Sequence, residues 1–293
     1  MCYIPEILLA GAIGVLMMCG MFISLSILKC PDLTCEASYA VGCSIYCYLN
    51  AICNVSPMIC LIISMILGMV CGGITAILKL YLNVPKIISS MITITAAMGI
   101  LQIFPMVDYA AISSLKLCNF VTLNMLIVIA IAASVASLLY FFIDSEIGLK
   151  FRALIYDNTL STNSSDSSFL SLIAGLSVAN GLTALAGALS SQLYNTSIAC
   201  IGNGTFIFGL TCILIAELVV RKNKYSTDNF FLTTLVVGAI LKSSLELFEH
   251  VFNLDKSYAF AEVMLALVAV FIYSVLTSRR SIQMQLIKQS MKD

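Results

Sequence analysis

Ionisable side chains are rare in this sequence, and the few that fall within apolar stretches are the first candidates for chemistry. Lys242 and Glu246 stand four residues apart, so a helix would place them on one face, where their charges can neutralise each other. Glu217 stands one helical turn before Arg221 and can pair with the basic residues there. Such groups are either functional sites or buried structural pairs, and the sequence leaves both interpretations open.

A second candidate is the segment PDLTCEAS, which follows an unbroken apolar run and opens the next one. Its polar side chains are Asp32, Thr34, Glu36 and Ser38. One interpretation is helix capping, because Asp32 or Thr34 can accept hydrogen bonds from free backbone amides and Glu36 favours a helix N-terminus. The other is that a break at this point lines a polar path. The two are compatible, since breaks at membrane depth are tolerated where they face protein or water.

Patterns for catalysis and metal binding are missing from the sequence. His250 is the single histidine, and the twelve cysteines form no Cys-x-x-Cys pair, so no metal site is indicated. Neither a Ser/His/Asp arrangement nor a G-x-x-x-x-G-K-[ST] phosphate loop occurs. We therefore expect no metal, no cofactor, no nucleic-acid partner and no enzymatic activity in this chain.

Composition determines which elements must position these residues. Of 293 residues, 60% are hydrophobic and 10% are charged, which is far outside the range of water-soluble domains. This length accommodates about eight to ten spans of roughly 20 residues each. The sequence predicts an all-α polytopic membrane protein, with residues 1–293 forming a single transmembrane domain.

Apolar runs separated by polar segments give nine predicted spans. The second is short and contains Gly42, Tyr48 and Asn50, so we expect a broken or re-entrant segment there. Residues 194–205 are predicted to form an outer loop. The spans are 7–28, 38–54, 58–80, 87–105, 120–143, 168–192, 205–220, 230–252 and 259–277.

The basic residues predict the orientation of the chain. If the loop of residues 144–167 is cytoplasmic, the inner segments hold twelve Lys and Arg residues and the outer segments only Lys116 and Lys256. This bias predicts a cytoplasmic C-terminus and, with nine spans, an external N-terminus. The inner residues are Lys29, Lys79, Lys86, Lys150, Arg152, Arg221, Lys222, Lys224, Arg279, Arg280, Lys288 and Lys292.

The longest polar interruption, residues 144–167, leads directly into a helix of small residues. Gly175, Ala179 and Gly187 recur at the spacings by which membrane helices bring their backbones together. Gly68, Gly72 and neighbouring small residues form a second such stripe in the third span. We expect two close-packing helices, and we expect a second copy of the chain to complete the bundle.

Three segments together resemble the permease subunit of bacterial ABC importers of the branched-chain amino acid and tryptophan/tyrosine type. PDLTCEAS looks like the family's P-D-L-T-x-E-G-S, and residues 201–219 look like its G-x-G-x-x-x-x-G-L-x-x-x-I-x-G-E run. The loop matches a G-x-x-x-R-A segment with a following D-N pair, and the small-residue helix comes next. The loop residues are Gly148, Lys150, Phe151, Arg152, Ala153, Asp157 and Asn158.

This resemblance implies a subunit that forms the path for a small solute, such as an amino acid, in the bacterial inner membrane. It also implies three protein partners: a separate ATP-binding subunit that docks on residues 144–167, an external substrate-binding protein and a second copy. Phe151, between Lys150 and Arg152, is expected to be an apolar side chain in water that marks the docking surface. The run TLSTNSSDSS replaces the alanine-rich stretch of the relatives and lowers helix propensity.

An ion-coupled secondary transporter is the alternative function. Lys242, Glu246 and Glu262 would then form a proton or sodium relay. Such transporters usually consist of two related halves, and the sequence shows no clear internal repeat.

Overall fold

A computed structural model shows an all-α protein. The residues that it describes contain helices and no strands, as the composition predicts. Five of the helices are long and apolar enough to cross a membrane, and two shorter ones are also apolar. The prediction of a polytopic membrane protein is therefore confirmed. The described residues are 3–82, 84–103, 121–146, 148–149, 151–152, 166–194, 202–220, 227–252 and Val268.

Eight α-helices follow one another along this part of the chain, and they correspond to the first eight predicted spans. A π-helical turn, Ile23–Ile27, continues the first helix. The ninth predicted span, 259–277, lies outside the described residues except for Val268. The helices are α1 (Tyr3–Phe22), α2 (Thr34–Ala51), α3 (Pro57–Tyr81), α4 (Lys86–Leu101), α5 (Val121–Asp144), α6 (Asp166–Tyr194), α7 (Thr205–Val220) and α8 (Thr227–Phe252).

The second helix differs from the prediction of a broken or re-entrant segment. Helix α2 runs without interruption over its 18 residues. Its Gly42 does not break it, because the residue packs directly against the backbone of α6. Nearly every side chain of its first four turns is buried, so α2 is an internal helix that needs no continuous apolar face.

Helix α6 lies at the centre of the bundle and packs most extensively on α3, α2 and α1. The close approach depends on glycines. A Cβ atom at Gly42 would overlap the carbonyl group of Ala184, and one at Gly187 would overlap that of Tyr39. Gly68 and Gly72 of α3 lie equally close to the α6 backbone. The α3 stripe therefore packs on α6 at Leu176, Asn180 and Ala184, whereas Gly187 of the α6 stripe packs on α2. Both stripes are used within one chain, and they do not by themselves require a second copy.

The predicted outer loop of residues 194–205 is described only at its two ends, and its second end packs inside the bundle. Gly202 and Gly204 are buried, and a Cβ atom at Gly202 would meet the backbone of Glu36 and Ala40. Gln192, near the end of α6, instead lies beside Tyr46, further along α2. Thus α7 begins inside the bundle, beside the first turns of α2, and sequence hydropathy does not reveal this because glycine is neither apolar nor charged.

Several of the predicted inner residues gather at one end of the bundle. Lys79 Nζ lies 3.6 Å from Cys30 Sγ, and Lys86 Nζ donates to the Lys29 carbonyl at 3.4 Å. We call this the basic end.

The close helix contacts predict a matched pair of glycine variants. Gly42→Ala should lower the free energy of unfolding by about 1–3 kcal/mol, because the new methyl group meets backbone that cannot move aside. Gly99→Ala on α4 should be neutral or slightly stabilising, because nothing lies within 4 Å of the added atom. Thermal unfolding of both purified variants in detergent tests this, and equal melting temperatures would contradict the packing described.

Candidate translocation site

A buried hydrogen-bond network joins the start of α2 to the middle of α6. Asp32 accepts from the backbone N–H of Thr34 at 2.9 Å through Oδ1 and from Asn180 Nδ2 at 2.6 Å through Oδ2. Asn180 Oδ1 in turn accepts from Ser38 Oγ at 2.7 Å. One carboxamide thereby bridges two polar residues of PDLTCEAS, and the helix-capping interpretation of Asp32 is confirmed by its bond to Thr34.

Hydroxyl groups extend the network to α3 and α4. Thr34 Oγ1 and Thr75 Oγ1 are 2.8 Å apart, and Thr75 Oγ1 lies 2.9 Å from Thr93 Oγ1. Thr93 Oγ1 also donates to the Ser89 carbonyl at 3.1 Å. Four helices are therefore connected by side chains that are almost wholly buried. We call the set Asp32, Thr34, Ser38, Thr75, Thr93 and Asn180 the polar network.

A narrow cleft, with space for about one water molecule, lies beside this network between α1 and α6. Asp32, Asn180, Ser24 and Thr183 are among the residues around it, although most of the surface that it exposes is apolar. Ser24 belongs to the π-helical turn, where Leu28 N–H bonds to the Ile23 carbonyl at 2.9 Å. Such wide turns often occur at functional sites, because they change the direction of side chains and carbonyl groups.

Burial determines the electrostatics of Asp32, which lies in the connection between α1 and α2. The residue is 3% exposed. Loss of hydration raises the pKa of its carboxyl group, while the hydrogen bonds from Thr34 and Asn180 and the charge of Lys79 lower it. Within the described part of the chain, the carboxylate makes no salt bridge.

Glu36, the other acidic residue of PDLTCEAS, connects two of the motifs. Its Oε1 accepts from the backbone N–H of Gly204 at 3.2 Å. Gly204 has a φ of 90°, which favours glycine, and it immediately precedes α7. The structure thereby brings PDLTCEAS, the small-residue helix and the run of residues 201–219 together around α2, although Glu36 and Gly204 are 168 residues apart.

The ionisable residues of α7 and α8 lie elsewhere. Lys242 and Glu246 are each 6% exposed, and Lys242 Nζ lies 5.5 Å from the centre of the Phe208 ring. The Lys242 side chain packs on α1 at Gly14, and Glu217 is half-buried on α7. Asp32 has no hydrogen bond or salt bridge with these residues. Glu262 lies outside the described residues.

The loop after α5 is well packed where it is described. Arg152 Nη2 donates to the Ile143 carbonyl at 2.8 Å and so caps the C-terminus of α5. Phe151 is half-buried, its ring centre lies 6.1 Å from that of Phe142, and both Phe151 and Leu28 pack at Gly175. Phe151 is therefore not the apolar side chain in water that we expected. Lys150, Ala153, Asp157 and Asn158 lie outside the described residues.

Sequence reasoning did not connect three members of the polar network, Asn180, Thr75 and Thr93, with the residues of PDLTCEAS. Asn180 was detectable, because it is the one carboxamide in the small-residue stretch of residues 170–189. The threonines carried no such signal, since hydroxyl groups commonly bond to their own helix backbone. Among the described residues, no group of three or more His, Cys, Asp or Glu could hold a metal ion.

The polar network predicts different effects for two neighbouring residues of α6. Asn180→Leu should lower the free energy of unfolding by about 1–3 kcal/mol, because Asp32 and Ser38 both lose a buried partner. Thr183→Val should have a much smaller effect on stability, because the Thr183 hydroxyl bonds only to its own helix. Thermal unfolding in detergent compares them, and a neutral Asn180→Leu would show that the network does not stabilise the fold.

Two known proteins are similar to most of this chain. A tyrosine transport system permease protein of Clostridioides difficile is 25% identical over 228 residues, which is 77% of this chain and 76% of that protein. An uncharacterized protein of Rickettsia prowazekii is 26% identical over 70% of this chain and 73% of its own length. No family model and no solved structure matches. The resemblance to importer permeases seen in the motifs is thus confirmed by similarity of most of the chain to a transport system permease.

Proposed function

We propose that this chain is the membrane-spanning permease subunit of an ATP-binding-cassette importer. The observation that carries the proposal is its similarity, over most of its length, to a tyrosine transport system permease protein. The meeting of the three motif segments around α2 supports it, because residues far apart in sequence form one buried polar centre. ATP would be hydrolysed by a separate subunit, since this sequence has no phosphate loop.

In this proposal the solute passes beside α2. Helix α2 is largely buried inside the bundle. Thr34, Glu36 and Ser38 lie in its first turns, and Asp32 lies just before them. Polar groups at membrane depth are costly unless they serve a path or a partner. The narrow cleft beside Asp32 brings Ser24, Asp32 and Thr183 to one place, and in this proposal it widens when the solute passes. By analogy with the named relative, the solute is an amino acid, and tyrosine is the first to test.

Coupling to the ATPase is assigned to the loop of residues 144–167. Its described beginning lies near the basic end, because Phe151 and Leu28 share the contact at Gly175 and Leu28 precedes Lys29. Leu149 is 54% exposed, so it replaces Phe151 as the apolar residue available to a partner. We propose that Leu149, Lys150 and Arg152 contact the ATP-binding subunit, with Gly148, Ala153, Asp157 and Asn158 shaping the loop.

The basic end is the cytoplasmic side in this proposal, following the excess of Lys and Arg. The C-terminus would then be cytoplasmic, the membrane would be the bacterial inner membrane, and an external binding protein would deliver the solute. A second copy would complete the pathway. Since α6 is buried within its own chain, cross-linking between copies should succeed from exposed positions such as Gly99 on α4 and not from Ser190 on α6.

The surroundings of Lys242 argue against the alternative function, an ion-coupled transporter. The Lys242 ammonium group lies over the Phe208 ring, and the aliphatic chain of this residue packs against Gly14. Both contacts stabilise a cation that stays in one place. A relay residue would instead be expected to face a polar cleft. The structural-pair interpretation of Lys242 and Glu246 is therefore favoured.

Reconstitution tests the function directly. The chain is purified together with the ATP-binding and substrate-binding subunits that co-purify with it, inserted into liposomes, and supplied with radiolabelled L-tyrosine and ATP. We expect uptake that depends on ATP hydrolysis and is unaffected when ion gradients are dissipated. Uptake driven by a proton or sodium gradient without ATP would contradict the proposal and favour the secondary transporter.

The loop predicts separable effects on coupling and stability. Leu149→Ser should reduce stimulation of the ATPase while leaving the melting temperature unchanged, because Leu149 is exposed. Arg152→Gln should reduce stimulation and also lower the melting temperature slightly, because the shorter side chain loses the bond to the Ile143 carbonyl. Phe151→Ala should instead lower the melting temperature, because it removes packing at Gly175 and Phe142.

ATPase assays of the reconstituted complex and thermal unfolding of the chain measure these two effects. Parent-like stimulation by both Leu149→Ser and Arg152→Gln would place the coupling contact elsewhere.

A further inference from the structure

Two lysines at the basic end have their ammonium groups in the same neighbourhood. Lys79 stands in the last turn of α3, and Lys86 is the first residue of α4. Lys79 Nζ lies 3.6 Å from Cys30 Sγ, and Lys86 Nζ donates to the carbonyl of the adjacent Lys29 at 3.4 Å. The charges of both lysines act on the Cys30 thiol, and the charge of Lys86 also acts on Lys79. The fold therefore brings two like charges together, which is unfavourable unless an anion compensates them.

The described residues do not supply that anion. Within this part of the chain, the polar contacts of the two ammonium groups are those with Cys30 and Lys29, and neither contact is with a carboxylate. Asp32 acts on Lys79 only through space, because its own carboxylate is bonded to Thr34 and Asn180. An ammonium group carries three N–H donors. Donors therefore remain on both lysines for an anion from outside the chain.

The surface around these lysines is apolar and lies where a membrane-spanning helix ends. Helix α3 is long and apolar enough to cross a membrane, and Tyr81 is its last residue. Lysine and tyrosine side chains are typical of the level of the lipid head groups. Exposed apolar side chains adjoin the lysines on both helices. We call the following set the lysine patch: Lys79, Tyr81, Leu82, Lys86, Ile87 and Ile88.

The combination of charge and apolar surface determines which partner fits. A soluble anion such as free phosphate would compensate the lysines and gain nothing from Leu82, Ile87 and Ile88. An acidic protein surface would have to cover apolar side chains at the level of the membrane. An anionic phospholipid matches both parts, because its phosphate is an acceptor for ammonium groups and its acyl chains cover apolar side chains. Basic residues between helices at a membrane surface bind such head groups in other membrane proteins.

We propose that the lysine patch is a binding site for an anionic phospholipid, with its phosphate at Lys79 and Lys86 and its acyl chains along α3 and α4. The site requires only that the chain spans a membrane, so it does not depend on which solute is transported. Lys79 and Lys86 both contact the connection between α1 and α2. A bound phosphate would remove their repulsion and so stabilise α3 and α4 against the segment that leads into PDLTCEAS.

Thermal unfolding of the full chain in a neutral detergent tests the site, because a ligand that binds the folded state raises the melting temperature. Dioleoylphosphatidylglycerol is added in mixed micelles and compared with dioleoylphosphatidylcholine, which has the same chains and no net charge. Glycerol 1-phosphate supplies a phosphate without acyl chains. We expect a clear rise with phosphatidylglycerol, and little change with phosphatidylcholine or with the free phosphate at the same concentration.

Variants of the two lysines locate the binding. Lys86→Gln removes one charge at an exposed position and should weaken phosphatidylglycerol binding about fivefold, which is the effect of one basic residue near anionic lipid. Lys79→Gln should act in the same direction. Lys86→Arg keeps the charge and should bind like the parent. Lys256→Gln, in a predicted outer segment, gives the same change in net charge and should also bind like the parent.

Stabilisation by phosphatidylglycerol that Lys86→Gln weakens and Lys86→Arg retains supports the lipid site. Equal stabilisation by glycerol 1-phosphate would show a site for soluble anions and overturn the inference. It would also be overturned if phosphatidylcholine stabilised the chain equally, or if both glutamine variants responded like the parent. A parent-like lipid response of Lys86→Gln combined with weaker ATPase stimulation in the reconstituted complex would assign the lysine patch to the ATP-binding subunit instead.

Discussion

The close approach of α6 to α2 and α3 is the constraint on which the rest of the structure depends. Membrane helices gain little from the hydrophobic effect between them, so contact between backbones must supply the attraction. Gly42 and Gly187 provide it on the α2 side, and Gly68 and Gly72 on the α3 side. The distance between these helices in turn allows one carboxamide, Asn180, to reach both Asp32 and Ser38.

As a consequence of this close packing, helix α2 can be buried although it contains polar residues. Helix α2 carries hydroxyl groups and an acid at its start, and these would be costly beside lipid. Here they are surrounded by α3, α4 and α6 and by the segment before α7, which provide partners for them. Because a buried network whose groups have partners favours one arrangement of its helices, the contacts that bury α2 also make the bundle rigid.

The sequence predicted the elements of this structure better than their arrangement. Apolar runs located eight helices, because a helix that crosses a bilayer must be predominantly apolar over about 20 residues, whichever neighbour covers it. The continuity of α2 and the burial of Gly202 against α2 could not be predicted, since both depend on which neighbouring helix covers the segment. Phe151 was misjudged for the same reason: its contacts, Gly175 and Leu28, are distant in sequence. The residues of PDLTCEAS were found from type and spacing, but their partner Asn180 required the structure.

The central claim is that the cleft beside Asp32 belongs to the path of the solute. Chemical labelling of Ser24→Cys, in a chain whose native cysteines have been replaced, tests this most directly, because Ser24 lines the cleft. With the complex in proteoliposomes, the rate of modification by a small hydrophilic thiol reagent is compared with and without ATP and solute, and Gly99→Cys on the exposed face of α4 serves as the control. The account predicts that the solute slows modification at position 24 and that ATP changes its rate, with no change at position 99. Equal rates at position 24 under all conditions would contradict it.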